Sequence, residues 1–170
     1  MFKKGIKFAI LTLFCYLLQS TLAQYIAVWD VAPDLALAII AIVSVALGRK
    51  YTFFMSVAVG YLLEVMLPAL DYINLILYPV CAMLGALAFS DKSERKLEEE
   101  RSIGKRGGNL PAHLRTLLCA LLSILVFEAV HLLYIYLSGI QLDFGHYRRA
   151  LISVVYTTLL AGVLQFPIRW

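Results

Sequence analysis

The sequence predicts an all-α, polytopic membrane protein with six transmembrane helices in one bundle. Three observations carry that expectation. Of the 170 residues, 62% are hydrophobic and 15% charged, too few charges to cover a soluble domain of this size, and the mean hydropathy is +0.83. Apolar runs separated by short breaks recur along the chain, each near the roughly 20 residues that a helix rising about 1.5 Å per residue needs to cross the hydrocarbon core. The two-residue alternation of a transmembrane barrel strand is absent.

The whole chain, 1–170, reads as one integral membrane domain with helices at about 6–28, 33–47, 51–67, 72–89, 116–138 and 149–167. The first run, MFKKGIKFAILTLFCYLLQSTLA, has a basic start and a Thr21-Leu22-Ala23 ending like a signal-peptidase site. Its apolar character continues through Tyr25-Ile26-Ala27-Val28-Trp29, which suits a retained span with an aromatic anchor better than a removable leader. Asp30 and Pro33 end it, and Pro33 opens the second helix, where a missing N–H costs nothing. Gly48-Arg49-Lys50 closes the second span, Pro68 to Asp71 the third, and Ser138-Gly139 the fifth.

Between the fourth and fifth helices lies a hydrophilic loop, 90–115, in which SDKSERKLEEERSIGKRGGNLP is the only sizeable polar segment. Helix formers fill its first half, while Gly104, Gly107 and Gly108 loosen the second. It reads as a solvated tether or as a docking site for a cytoplasmic partner. Neither GALAFSDKS nor GKRGGN has the Gly-Lys-Ser/Thr order of a phosphate loop, so no nucleotide site is supported.

Basic residues set the direction, because cytoplasmic loops retain Lys and Arg. With both termini inside, 13 of the 15 basic residues fall on the cytoplasmic side, leaving Arg148 and Arg149 outside. The formal charge of +4 then reflects loops at an anionic leaflet, and no aromatic-interleaved basic patch points to nucleic acid.

Acidic residues within apolar runs are the candidate functional positions, since a carboxylate at mid-bilayer costs about 2.5 to 3.5 kcal/mol and so faces the bundle interior with a partner. Glu64 lies about one turn from Pro68, near the external interface, whereas Glu128 is deeper, with His131 on the same face. Asp34 opens the second helix. Arg148 or Arg149 is expected to reach inward to Glu64 or Asp34. The resulting cluster fixes helix packing, lines a polar cavity open to the outside, or forms a surface that receives a partner's helix.

Catalytic and metal readings find little purchase. Glu128 and His131 resemble one half of a di-iron pair, but such sites need two motifs and further Glu ligands. His113 and His146 stand alone near helix ends, and Cys15, Cys81 and Cys119 read as small core hydrophobes. The expectation is a protein that is not an enzyme, with neither cofactor nor metal. Small residues four apart, at Ser44/Gly48, Ser56/Gly60, Ala82/Ala86 and Thr158/Gly162, predict close helix contacts, within the bundle or with another membrane protein.

LLQSTLA at 17–23, the Pro33-Asp34-Leu35 helix start, GRKYTFFMSVAVGYLLEVM at 48–66 and the following LILYPVCAMLGALAF come in an order that resembles the MreD family of bacterial rod-shape proteins. The likeness is densest in the first half. Gly60 and Glu64 would fill the family's G-x-L-x-x-D places, with Glu for the usual Asp, and Asp34 matches the acid after the helix-opening proline. MLPALDYINLIL is bulkier than the small external turn common in the family.

The resemblance implies a scaffold in the bacterial cytoplasmic membrane that pairs with MreC and connects MreB filaments to RodA and a class B penicillin-binding protein. It also implies a fold similar to the S-component of energy-coupling-factor (ECF) transporters, which makes a vitamin-binding transporter subunit the alternative. Such subunits couple through Ala-x-x-x-Ala at the cytoplasmic end of the first helix. Here Ala23 and Ala27 have that spacing at the opposite end, and Gly5 and Ala9 form a weaker version at the expected one.

Overall fold

A computed structural model describes residues 2–29, 31–66, 73–89 and 111–168. Among these residues every regular element is helical. Helix α1 (Phe2–Leu17) continues through a π-helical turn, Leu18–Leu22, into Ala23–Tyr25; the others are α2 (Leu35–Leu47), α3 (Arg49–Met66), α4 (Ile73–Phe89), α5 (Ala112–Leu137) and α6 (Phe144–Ile168). Three stretches, Phe8–Tyr25, His113–Leu137 and Phe144–Phe166, are long and apolar enough to cross a membrane, while Leu35–Leu47 and Ile73–Phe89 are shorter apolar helices. The expected loop lies outside the described residues from 90 to 110, as do Asp30, Pro68 and Asp71.

Helix α2 is the axis of the bundle. Leu35 through Val45 are all buried, and the helix packs on α1, α3, α4, α5 and α6. A helix apolar on every face has no polar side to give to water, so it lies in the interior. The surrounding helices turn large apolar side chains outward, among them Phe14, Phe54, Ile76, Leu133, Leu151 and Leu159. That outward display suits a lipid environment rather than water.

Two glycines set how closely the outer helices approach. A Cβ on Gly60 would stand 2.8 Å from the Asn74 carbonyl oxygen and 3.4 Å from the Tyr78 Cβ, so α3 and α4 meet backbone to backbone there. One on Gly85 would meet the Cys119 carbonyl at 3.0 Å, as well as the Ser123 hydroxyl, on α5. The Ser56/Gly60 and Ala82/Ala86 faces are therefore internal, with Ser56, Ala82 and Ala86 buried. At the turn between α2 and α3, Gly48 has φ +87° and donates its N–H to the Ser44 carbonyl at 3.1 Å. A side chain is strained in that backbone region, and glycine is not.

Two helix starts come earlier than the apolar runs suggest. Helix α5 begins at Ala112, directly after Pro111, whose carbonyl accepts from the Arg115 N–H at 3.1 Å; the polar His113 and Arg115 fill its first turn. Helix α6 begins at Phe144 because Asp143 caps it. The Asp143 carboxylate accepts from the Phe144 N–H at 2.8 Å, and the Asp143 N–H donates back to Nδ1 of His146 at 3.2 Å. The second bond is the return half of a capping box, with His in the place of the usual Glu, while the Asp143 side chain serves the N–H of the first helical residue.

Candidate functional site

At 13 residues, α2 rises only about 20 Å, well short of the roughly 30 Å hydrocarbon core. Its start therefore lies inside the protein, where the first-turn N–H groups have no water and need protein acceptors. The Pro33-Asp34 segment before the helix and the π-helical turn after α1 supply them. The Leu37 N–H donates to Oδ1 of Asp34 at 2.9 Å, and the Ala36 N–H donates to Oε1 of Gln19, on the π-helical turn after α1, at 3.0 Å. The Leu35 N–H reaches the Pro33 carbonyl at 3.2 Å, and the Ala38 N–H the Asp34 carbonyl at 3.2 Å.

Asp34 gathers the rest of the cluster. Its Oδ2 accepts from the Tyr78 hydroxyl of α4 at 2.9 Å, and its own N–H donates to Oγ1 of Thr157 on α6 at 3.0 Å. Asp34, Tyr78 and Thr157 are all buried. The π-helical turn has a local reason: the Ser20 and Thr21 hydroxyls both donate to the Leu17 carbonyl, and the widened turn places Gln19 against α2. Nearby, the Tyr156 hydroxyl donates to the Ile26 carbonyl at 2.7 Å, tying α6 to the end of the first helix.

Glu64 performs the same service for α4. Buried near the end of α3, it accepts the Asn74 N–H, in the first turn of α4, through Oε2 at 2.9 Å. Gly60, one turn earlier, permits the close approach that brings the two together.

A polar pocket of about 220 Å³ opens between α5 and α6 beside the Val31-Ala32 segment. Glu128, His131, His146, Arg149 and Ser153 line it, with Leu132, Ile135 and Ala150 as apolar walls. Depth follows from position. Glu128 and Ser153 each stand nine residues from the facing helix ends, Leu137 and Phe144, so both lie about 13 Å in and form the floor. His131 and Arg149 stand midway, and His146 is at the mouth.

The floor residues join, with the Ser153 hydroxyl hydrogen-bonding the Glu128 carboxylate. His131 stacks on Phe127 at 6.4 Å between ring centroids, and Phe127 meets Tyr78 edge-on at 5.3 Å. The pocket wall thus leans on the Asp34 cluster. An apolar groove of about 340 Å³, lined by Ile76, Val80 and Leu133 among others, lies between α4 and α5 on the other side of His131. Among the described residues no group of three or more His, Cys, Asp or Glu could hold a metal ion.

Six of the seven residues singled out by sequence thus divide into two neighbouring sets at one end of the bundle. Asp34, Gly60 and Glu64 belong to helix starts, while Glu128, His131 and Arg149 line the pocket; Arg148 is exposed. Gln19, Tyr78, His146, Ser153 and Thr157 were missed. One signal could have found two of them: His146, Arg149 and Ser153 at i, i+3 and i+7 make a polar stripe matching Glu128, His131 and Ile135 across the hairpin. No family model matches the chain, and neither a curated protein nor a solved structure matches it. Fold and site together define an all-helical protein with helices fit to cross a membrane.

Proposed function

We propose that the chain is a non-enzymatic scaffold of the MreD kind. It crosses the bacterial cytoplasmic membrane six times with both termini in the cytoplasm, pairs with MreC, and links MreB filaments to RodA and a class B penicillin-binding protein. One observation carries this reading. The separate sequence stretches that make the resemblance meet at one end of the bundle: Gln19 of LLQSTLA and Asp34 of the PDL start hold the same first turn, Tyr78 of LILYPV donates to Asp34, and Glu64 holds α4. Their shared task is to satisfy buried helix starts, which makes a stiff bundle and suits a docking platform.

The Ser56/Gly60 and Ala82/Ala86 faces, which the sequence left open to a partner, are occupied within the bundle. MreC's single span accordingly meets the outward aromatic and aliphatic faces, and its periplasmic portion meets the Asp34 end. Co-purification in mild detergent tests the reading. Recovery of an MreC-like single-span protein with the tagged chain supports it; recovery of a bound vitamin and no cell-wall partner reverses it in favour of an ECF-type binding subunit.

That alternative has the polar pocket in its favour. At about 220 Å³, however, the pocket falls below the roughly 300 to 1,000 Å³ common for drug-sized ligands, and it suits a smaller group than a vitamin.

A further inference from the structure

The pocket between α5 and α6 is chemically divided. Its floor carries a carboxylate, Glu128, beside the Ser153 hydroxyl, while its middle and mouth carry the Arg149 guanidinium and the His146 ring. Nδ1 of His146 accepts the Asp143 N–H, so the neutral ring carries its proton on Nε2 and has that N–H to donate. A ligand with a cationic, hydrogen-donating head and an anionic group one short linker behind it would match both levels.

Arginine favours phosphate among such anions, because its planar fork meets two oxygens at once. The surroundings of the mouth indicate where the ligand comes from. Tyr136, Leu137, Ile140, Phe144 and Tyr147 are all exposed around the α5–α6 turn. Aromatic and aliphatic side chains of this kind belong at the headgroup level of a membrane, so the molecules nearest the mouth are lipids.

We propose that this pocket binds a phosphate–ammonium zwitterion of the ethanolamine phosphate class, with the ammonium on Glu128 and the phosphate at Arg149 and His146. The site is independent of any role in cell shape and of which side of the membrane it faces. A phosphatidylethanolamine is the lipid source of this chemistry, entering headgroup-first with its glycerol at the mouth and its acyl chains laid over the exposed side chains of the α5–α6 turn, and soluble glycerophosphoethanolamine is the other source.

The test uses full-length, delipidated protein in detergent with native mass spectrometry as the readout. Dihexanoyl phosphatidylethanolamine is compared with dihexanoyl phosphatidylglycerol, which has the phosphate but no ammonium. The native chain is expected to bind the ethanolamine form about tenfold more tightly. Glu128→Gln abolishes that preference and leaves phosphatidylglycerol binding unchanged, whereas Arg149→Gln weakens both about fivefold or more.

Arg149 is exposed, and with the fold of the Arg149→Gln protein checked by circular dichroism its arm keeps the test decisive if Glu128→Gln unfolds. Competition by glycerophosphoethanolamine at equal concentration assigns the site to a soluble ligand; failure to compete assigns it to the lipid, and the zwitterion chemistry stands in both cases. Equal binding of the two headgroups by the native chain overturns the proposal. So does an Arg149→Gln protein that binds both as the native chain does.

Discussion

Replacing Asp34 and Tyr78 singly and together tests whether the start of α2 is held as described. Tyr78→Phe removes one buried hydrogen bond while keeping the ring against Phe127, and costs about 1 kcal/mol, inside the ceiling of about 1.7 kcal/mol found for such bonds between membrane helices. Asp34→Ala removes the bond from the Leu37 N–H, worth about 1 kcal/mol as a cap, together with the bond from Tyr78. It also leaves the Tyr78 hydroxyl buried without its acceptor, which adds at least about 1 kcal/mol and brings the sum to about 3 kcal/mol. Asp34→Asn keeps the cap on the Leu37 N–H through Oδ1 but turns its Nδ2, a donor, toward the Tyr78 hydroxyl, so it loses the bond from Tyr78 and costs about 1 kcal/mol, less than Asp34→Ala.

The double variant decides the matter. With Asp34 already Ala, Tyr78→Phe removes the stranded hydroxyl, so Asp34→Ala/Tyr78→Phe should be no less stable than Asp34→Ala alone. Reversible unfolding in mixed micelles, followed by tryptophan fluorescence or circular dichroism, gives all four free energies. If the two substitutions add within about 0.5 kcal/mol, the residues act independently and the clustered account of this end of the bundle is wrong.

Further substitutions probe the other helix contacts. Glu64→Ala strips the acceptor from the Asn74 N–H and should lower stability by about 1 kcal/mol, whereas Glu64→Gln keeps an acceptor and should melt close to the native chain. Gly60→Ala places a methyl 2.8 Å from the Asn74 carbonyl oxygen and should cost about 1 to 3 kcal/mol by forcing α3 and α4 apart. Gly48→Ala meets no neighbouring atom within 4 Å, so its cost of about 1 to 3 kcal/mol is backbone strain at φ +87° and ψ 177°, a region essentially confined to glycine, and Gly48→Asn should recover none of it. Thermal melts in one detergent rank all five; a Gly60→Ala protein as stable as the native chain would contradict the backbone contact.

The helical class was legible because lipid-facing and buried helices both read as apolar runs, and hydropathy needs no tertiary information. The central place of α2 was less so. Leu35–Leu47 is apolar all round, yet a lipid-facing span is too, and only packing shows that five helices surround it. Glu64 stood out as an acid in an apolar run, but its partner is a backbone N–H ten residues away, beyond the connection to the next helix. No charge pattern marks such a partner.

Gln19 and Tyr78 were hidden for a similar reason. Each reads as an ordinary residue of its helix, and each acquires its role only when the short α2 starts inside the protein. At the α5–α6 hairpin the missed signal was local. The cap at Asp143 starts α6 five residues before the apolar run, and that extra turn brings His146 to the pocket mouth. Arg149, expected to reach inward to Glu64 or Asp34, lines the pocket with Glu128.

Cysteine labelling tests the orientation on which the proposed scaffold rests. Cys15, Cys81 and Cys119 are buried, so an introduced thiol reports with little background. In intact cells a membrane-impermeant maleimide should label Gln141→Cys, between α5 and α6, and should label Ser93→Cys, between α4 and α5, only after permeabilisation. Labelling of Ser93→Cys in intact cells, or labelling of both positions from one side, would contradict it.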